Sequence, residues 1–128
     1  MDYTHALEVA VAAAREAAVL LRAELHRPGG PRGHGGNAPV DAEVEAAIRA
    51  RLTSAFPTHG LRGEELGAED RIPAAGETHL WLVDPNDGTS AMQAGFRGAA
   101  TSIALIRGDL PDGIDKVNVT YDFRIENR

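Results

Sequence analysis

The chain has 128 residues with 43% hydrophobic and 25% charged residues, which bounds it to one globular unit of ordinary size. Its net charge of −6 argues against a nucleic-acid or anionic-membrane surface, and the absence of cysteine excludes disulfides and thiolate metal sites. Aromatics make up only 5% of the residues, so the core is expected to be thin and built from closely packed helices.

Leu7, Ala10, Val11, Ala14, Ala17, Ala18, Leu21 and Leu25 recur at helical steps, with Glu8, Arg15, Glu16 and Arg22 mainly on the other side. That periodicity predicts an amphipathic helix from about Asp2 to His26, stopped by Pro28-Gly29-Gly30-Pro31. The same charged residues rule out a membrane span, and Met1-Asp2-Tyr3-Thr4-His5 lacks the basic start of a signal peptide. A cytoplasmic protein is the default expectation. Arg27 to Asn37 is a Gly/Pro-rich stretch without periodicity, expected to be a mobile loop. A second helix is predicted from about Pro39, with Val44, Ile48, Leu52 and Phe56 spaced by four and Asp41 and Glu43 at its positive end. Pro57 and Gly60 end it.

The remainder reads as strands. Leu80-Trp81-Leu82-Val83 and Thr101 to Ile106 are short apolar runs. From Val117 to Ile125 apolar and polar residues alternate strictly, as in an antiparallel strand with one buried face, after a turn at Asp109 to Gly113. The expected fold class is α+β, with two N-terminal amphipathic helices packed on an antiparallel β-sheet.

The chemistry-bearing residues cluster after the first apolar strand. In Asp84-Pro85-Asn86-Asp87-Gly88-Thr89 two carboxylates flank a rigid proline and converge on one point if the chain turns there. The Asn86 carbonyl adds a third oxygen, and the Gly88 and Thr89 amides are placed to face an anion. Hard oxygen ligands suit Mg²⁺, Mn²⁺ or Ca²⁺ rather than zinc or copper. A plain hairpin turn explains Asn86-Asp87-Gly88 equally well, whereas an EF-hand loop fails on spacing. Gly63-Glu64-Glu65, at the end of a short strand, is either a solvated edge or part of the same site. Asp41 is either a helix cap or a functional acid.

Taken together, Asp41, Gly63-Glu64-Glu65, Trp81 through Thr89 and Ser102-Ile103 resemble the pattern of the inositol monophosphatase family, in the family's order and spacing, over about residues 5–108. The resemblance implies the N-terminal half of that fold, so residues 1–128 are expected to form a single truncated domain. It implies a Mg²⁺-dependent phosphomonoesterase, with Mn²⁺ as a substitute, hydrolysing a small polyol, sugar or nucleotide phosphate. By matching position, Glu64, Asp84, Asp87 and the Asn86 carbonyl are the implied metal ligands. Asp41 and Thr89 are the implied catalytic pair that activates water, and the Gly88 and Thr89 amides are the implied phosphate cradle.

This sequence departs from the family pattern in three places. Pro31 to Pro39 replaces a lysine-containing hairpin, Ser90 to Gly95 replaces the usual Thr-Asn-Phe, and the half that carries a further aspartate ligand is not matched. His34 stands in the first of these. The alternative is therefore a non-catalytic or repurposed metal/phosphate-binding module, acting as a regulatory or partner subunit. The expected partners are a small phosphorylated metabolite and a second copy of the chain, a homodimer through the last strand or the alanine-rich helix, with no nucleic acid and no membrane.

Overall fold

The computed structural model describes residues 2–34, 38–87, 100–108 and 115–121, the last of these and Asp87 as backbone only. Helix α1 spans Thr4–Leu25. The Asp2 carboxylate accepts the Thr4 amide at 2.9 Å and the Thr4 hydroxyl at 2.7 Å, so the first turn is tied down before it begins. Its buried stripe is Ala6, Ala10, Ala13, Ala14, Ala17, Ala18 and Leu21, a face of small side chains that lets the helix backbone lie close to its neighbours. Leu7, expected on that face, is 46% exposed, because the stripe is centred on the alanines one position away. Glu24 is buried in its stead, with a partner to justify it. Arg32 donates to Glu24 through its backbone N–H at 2.9 Å and its side chain at 2.5 Å, and the same guanidinium reaches Glu43 at 3.0 Å. The loop after α1 is thus pinned to both helices at Arg32, where a mobile segment was expected.

Helix α2 spans Pro39–Ala55, with proline in its first turn, where the missing N–H costs nothing. Val40, Val44, Ile48 and Leu52 form its buried edge. Each such side chain contributes about 1.5–3 kcal/mol of burial free energy, so this single row anchors the helix.

Four strands follow: β1 Gly60–Gly63, β2 His79–Asp87, β3 Ala100–Arg107 and β4 Asp115–Tyr121. They lie in chain order in one sheet. The α+β layering expected from the sequence is present, and β2–β3 and β3–β4 are antiparallel. The pair β1–β2 is parallel, in register from Gly60 opposite Leu80 to Gly63 opposite Val83, so the sheet as a whole is mixed. Parallel pairing requires a crossover, and the segment between the strands supplies it, including a 3₁₀ turn at Gly67–Glu69. On its way Arg71 exchanges backbone hydrogen bonds with Leu61 at 2.8 and 2.9 Å, which covers the outer edge of β1.

Both helices pack on one face of the sheet, α2 against β2 and α1 against β3 and β4. Leu61, Trp81, Val83, Ile103 and Leu105 point into that layer, and Trp81 is its largest fully buried side chain. Leu82 and Ala104 are on the opposite face and only half-buried. Residues 122–125, expected to continue the last strand, lie outside the described residues, as does the expected turn at Asp109 to Gly113. No helix among the described residues is long and apolar enough to cross a membrane.

Candidate metal and phosphate site

The parallel β1–β2 pair brings two chain segments to the same end of the sheet. Gly63 ends β1 opposite Val83, so Glu64 and Asp84 follow side by side and line one cleft with Arg62, Leu82 and Ser102. Strand β2 does not turn at Asp84. It runs on to Asp87 with a register shift between these two residues, opposite Ser102 and Ala100 of β3. Such a bulge inserts extra residues and re-aims their side chains. The buried Thr101 hydroxyl donates to the Pro85 carbonyl at 2.9 Å and fixes this bulge to β3.

Asn86 points the other way, toward the helices. Its amide Nδ2 donates to Asp41 Oδ1 at 2.8 Å, and its backbone N–H faces Asp84 Oδ1 at 3.3 Å. Asp41 is only 1% exposed, in the first turn of α2, where the helix dipole favours a negative charge. Asp41, Asp84 and Asn86 are therefore linked directly, although they are far apart in the chain. The sequence suggested only the backbone carbonyl of Asn86; its side chain has a second task, orienting the Asp41 carboxylate.

The segment after β1 is held by residues that the sequence did not single out. Glu45, one turn after Asp41 on α2, is fully buried. It accepts the backbone amides of Glu65 at 2.9 Å and Leu66 at 2.7 Å, and the Arg49 Nε at 3.0 Å. Arg49 continues to the Glu69 carbonyl at 2.9 Å and to Asp70 at 2.6 Å, and Asp70 in turn accepts the Gly63 amide at 3.1 Å. The i,i+4 spacing of Glu45 and Arg49 was the available signal. Read alone it suggests a surface pair. Beside them, partial desolvation raises the carboxyl of the largely exposed Glu65 above its ordinary value, and the negative charges of Asp41, Glu45 and Asp84 push it the same way.

The negative charges of Asp41, Glu45 and Asp84 thus all act on Glu65 at one end of the sheet, and Arg49 pairs with Glu45 and Asp70. The donor set of Glu64, Asp84 and the Asn86 carbonyl is all oxygen, which fits a hard divalent cation such as Mg²⁺ or Mn²⁺. Asp87 has its backbone in β2; Gly88 and Thr89 lie outside the described residues. His34 is exposed.

A second group sits at the opposite end of β2. His59, Glu77 and His79 offer ligand atoms that all lie within 4.8 Å of one another, so this group could hold a metal ion. Hydrogen bonding also accounts for it without one. Trp81 Nε1 can only donate, and it meets His59 Nδ1 at 3.0 Å, which leaves the His59 proton on Nε2, on the side of Glu77. His79 Nδ1 lies 2.8 Å from Glu77 Oε2, and its Nε2 lies 3.0 Å from the Tyr3 hydroxyl. The two imidazoles stack, with ring centroids 5.0 Å and planes 22° apart.

Burial lowers the His59 pKa from its ordinary 6.5; the nearby Glu77 charge opposes this and His79 adds to it. Glu77 is held down at about 2, chiefly by the Thr58 hydroxyl and then by His79. A histidine with a depressed folded pKa contributes stability above its unfolded value and loses it as pH falls below about 6.5. Glu77 adds a second loss as pH falls from about 4.5 toward 2. The urea midpoint, read by the fluorescence of Trp81, is therefore expected to fall between pH 8 and 5.5, and again below 4.5. Equal midpoints at pH 8 and 5.5 would contradict this reading.

Comparison with known proteins agrees with the geometry. The profile of the Inositol monophosphatase family matches residues 2–113. The chain belongs to this family. Inositol monophosphatase 1 of Solanum lycopersicum is 33% identical over 120 residues, 91% of this chain and 42% of that protein. The fructose-1,6-bisphosphatase/inositol-1-monophosphatase of Aquifex aeolicus is 38% identical over 72 residues, 56% of this chain and 26% of that protein. Among solved structures, the extragenic suppressor protein suhB of Bartonella henselae superposes with a TM-score of 0.79 at 27% identity, over 94% of this chain and 46% of that one. The chain spans less than half the length of each of these relatives.

Proposed function

We propose that this chain carries the metal- and phosphate-binding part of a Mg²⁺-dependent phosphomonoesterase acting on a small polyol, sugar or nucleotide phosphate. The observation that carries this reading is the buried Asp41, held by Asn86 beside Asp84 and the Glu64-Glu65 segment. In it, Glu64, Asp84, Asp87 and the Asn86 carbonyl would hold the cation. Bound Mg²⁺ would neutralise phosphate charge and lower the pKa of an attacking water. Asp41 and Thr89 would orient that water, and Asp41 would accept its proton as it attacks phosphorus in line; the ester P–O bond opposite would break, and the departing alcohol would take up a proton. The Gly88 and Thr89 amides hold the phosphate oxygens. No side chain becomes phosphorylated.

A second reading is supported by the departures from the family pattern at Pro31 to Pro39 and Ser90 to Gly95: a module that binds metal and phosphorylated metabolite without turning over. Both readings place the protein in the cytoplasm. Both also admit a two-fold dimer through β4, the last strand in the sheet order, whose outer edge is unpaired among the described residues. Phosphate release from a panel of phosphomonoesters, with and without Mg²⁺, separates the two, with sedimentation equilibrium run on the same sample. Mg²⁺-dependent release is the expected result. Binding of phosphomonoesters without release establishes the module, and a monomer at micromolar concentration removes the dimer.

A further inference from the structure

Glu45 occupies an unusual position for a carboxylate. It is fully buried, its oxygens receive two consecutive backbone amides, and its charge is matched by Arg49. Those amides belong to Glu65 and Leu66, immediately after Glu64. The carboxylate also fills the space beside Gly63: a Cβ built there would stand 2.4 Å from the Glu45 carboxyl carbon. The segment is therefore gripped on both sides of Glu64, by contact at Gly63 and by hydrogen bonds at Glu65 and Leu66. Arg49 and Asp70 close the grip, because Asp70 accepts the Gly63 amide while bound to Arg49.

We propose that Glu45 is the positioning residue of the cation site, setting the path of Gly63 to Leu66 so that the Glu64 carboxylate is presented beside Asp84. The proposal rests on the metal-site reading above and deepens it. Glu45 itself takes no part in ligation: its oxygens are committed to two amides and a guanidinium. It acts through the chain that it holds, as outer-shell partners do when they orient a ligand. Arg49 supports this by donating its Nε to the same carboxylate at 3.0 Å, a charge-assisted hydrogen bond that holds the acceptor in place for both amides.

Glu45→Gln keeps the volume but puts an NH₂ group where an acceptor is needed, so at least one backbone amide or the Arg49 Nε loses its partner. Glu24→Gln is the control, because Glu24 is another buried glutamate paired with an arginine, on α1 and away from the cleft. Two measurements decide. Amide hydrogen exchange without metal is expected to quicken at Glu65 and Leu66 in E45Q and to stay as in the parent chain in E24Q. Calorimetric titration is expected to show Mg²⁺ affinity weakened by about 10–100-fold in E45Q and unchanged in E24Q. A generic loss of stability would move the two variants alike. Parent-like Mg²⁺ affinity in E45Q, or protected Glu65 and Leu66 amides, overturns the positioning role. A parent chain that binds no Mg²⁺ overturns the metal-site reading instead, and the exchange data, taken without metal, still show whether Glu45 sets the segment.

Discussion

Asp84→Asn is expected to abolish Mg²⁺ binding while leaving the metal-free fold slightly more stable. The two effects have one cause. Asp84 lies near Glu65 at the end of the sheet, and its negative charge contributes to the upward push on the Glu65 carboxyl. Without a cation this crowding is repulsive, so removing one charge relieves it. The asparagine keeps an oxygen to face the Asn86 amide, so the local path of β2 should persist. With a cation, the lost carboxylate is a direct ligand in the proposed site. Outer-shell losses cost about 10–100-fold in metal affinity, and a lost ligand should cost at least the upper end of that range. Thermal unfolding with and without Mg²⁺ reads both effects. The parent chain should gain about 2.7 kcal/mol at a Mg²⁺ concentration a hundred times its Kd, and the variant should gain essentially none. Equal stabilisation of the two by Mg²⁺ would place the cation elsewhere.

Much of the layout was legible because it follows from local rules. The row Val44, Ile48 and Leu52 fixed α2 by period alone, and Pro39 fixed its start. Ser102, Ile103 and their neighbours made β3, and Glu64 did follow directly on a short strand. What escaped depends on pairing between distant segments. The parallel pairing of β1 with β2 has no local signal in a four-residue strand, yet it is what sets Glu64 next to Asp84. Asp84 to Asp87 reads as a turn because proline, asparagine and aspartate all favour one. Pairing with β3, helped by the Thr101 hydroxyl on the Pro85 carbonyl, overrides that preference and makes a bulge. Buried charges were the hardest to foresee. Glu24, Glu45 and Arg49 look like solvated helix positions, and only their partners Arg32, Leu66 and Asp70 show why burial is tolerated. For the same reason the sequence picked Asp41 and Glu64 by family pattern but missed Glu45, which the structure shows connecting the two segments.

Gly63→Ala should be among the most destabilising single-methyl additions in the chain. Gly63 is not among the glycines with positive φ, so its backbone conformation is one that alanine adopts freely. On backbone grounds alone the change would stabilise by about 0.4–1 kcal/mol through the unfolded state. The contact decides otherwise. The new methyl would meet the Glu45 carboxyl carbon at 2.4 Å and its oxygens at 2.5 and 2.6 Å, well inside van der Waals distance. A carboxylate at the end of a side chain can normally swing aside. This one is buried and bonded to the Glu65 and Leu66 amides and to Arg49, so moving it strands polar groups away from water. Breaking one partner of such a network costs about 3–5 kcal/mol, which outweighs the backbone gain and leaves a net loss of roughly 2–4.6 kcal/mol. Gly67→Ala is the matched control, since nothing lies within 4 Å of a Cβ there, and it should be neutral or mildly stabilising. Urea unfolding of both variants measures the difference. The cause is isolated by repeating Gly63→Ala in a Glu45→Ala background, where the space beside residue 63 is open and most of the penalty should vanish. If Gly63→Ala matches Gly67→Ala, or costs as much without the Glu45 side chain as with it, then the contact between residue 63 and the Glu45 carboxylate does not hold this end of the sheet.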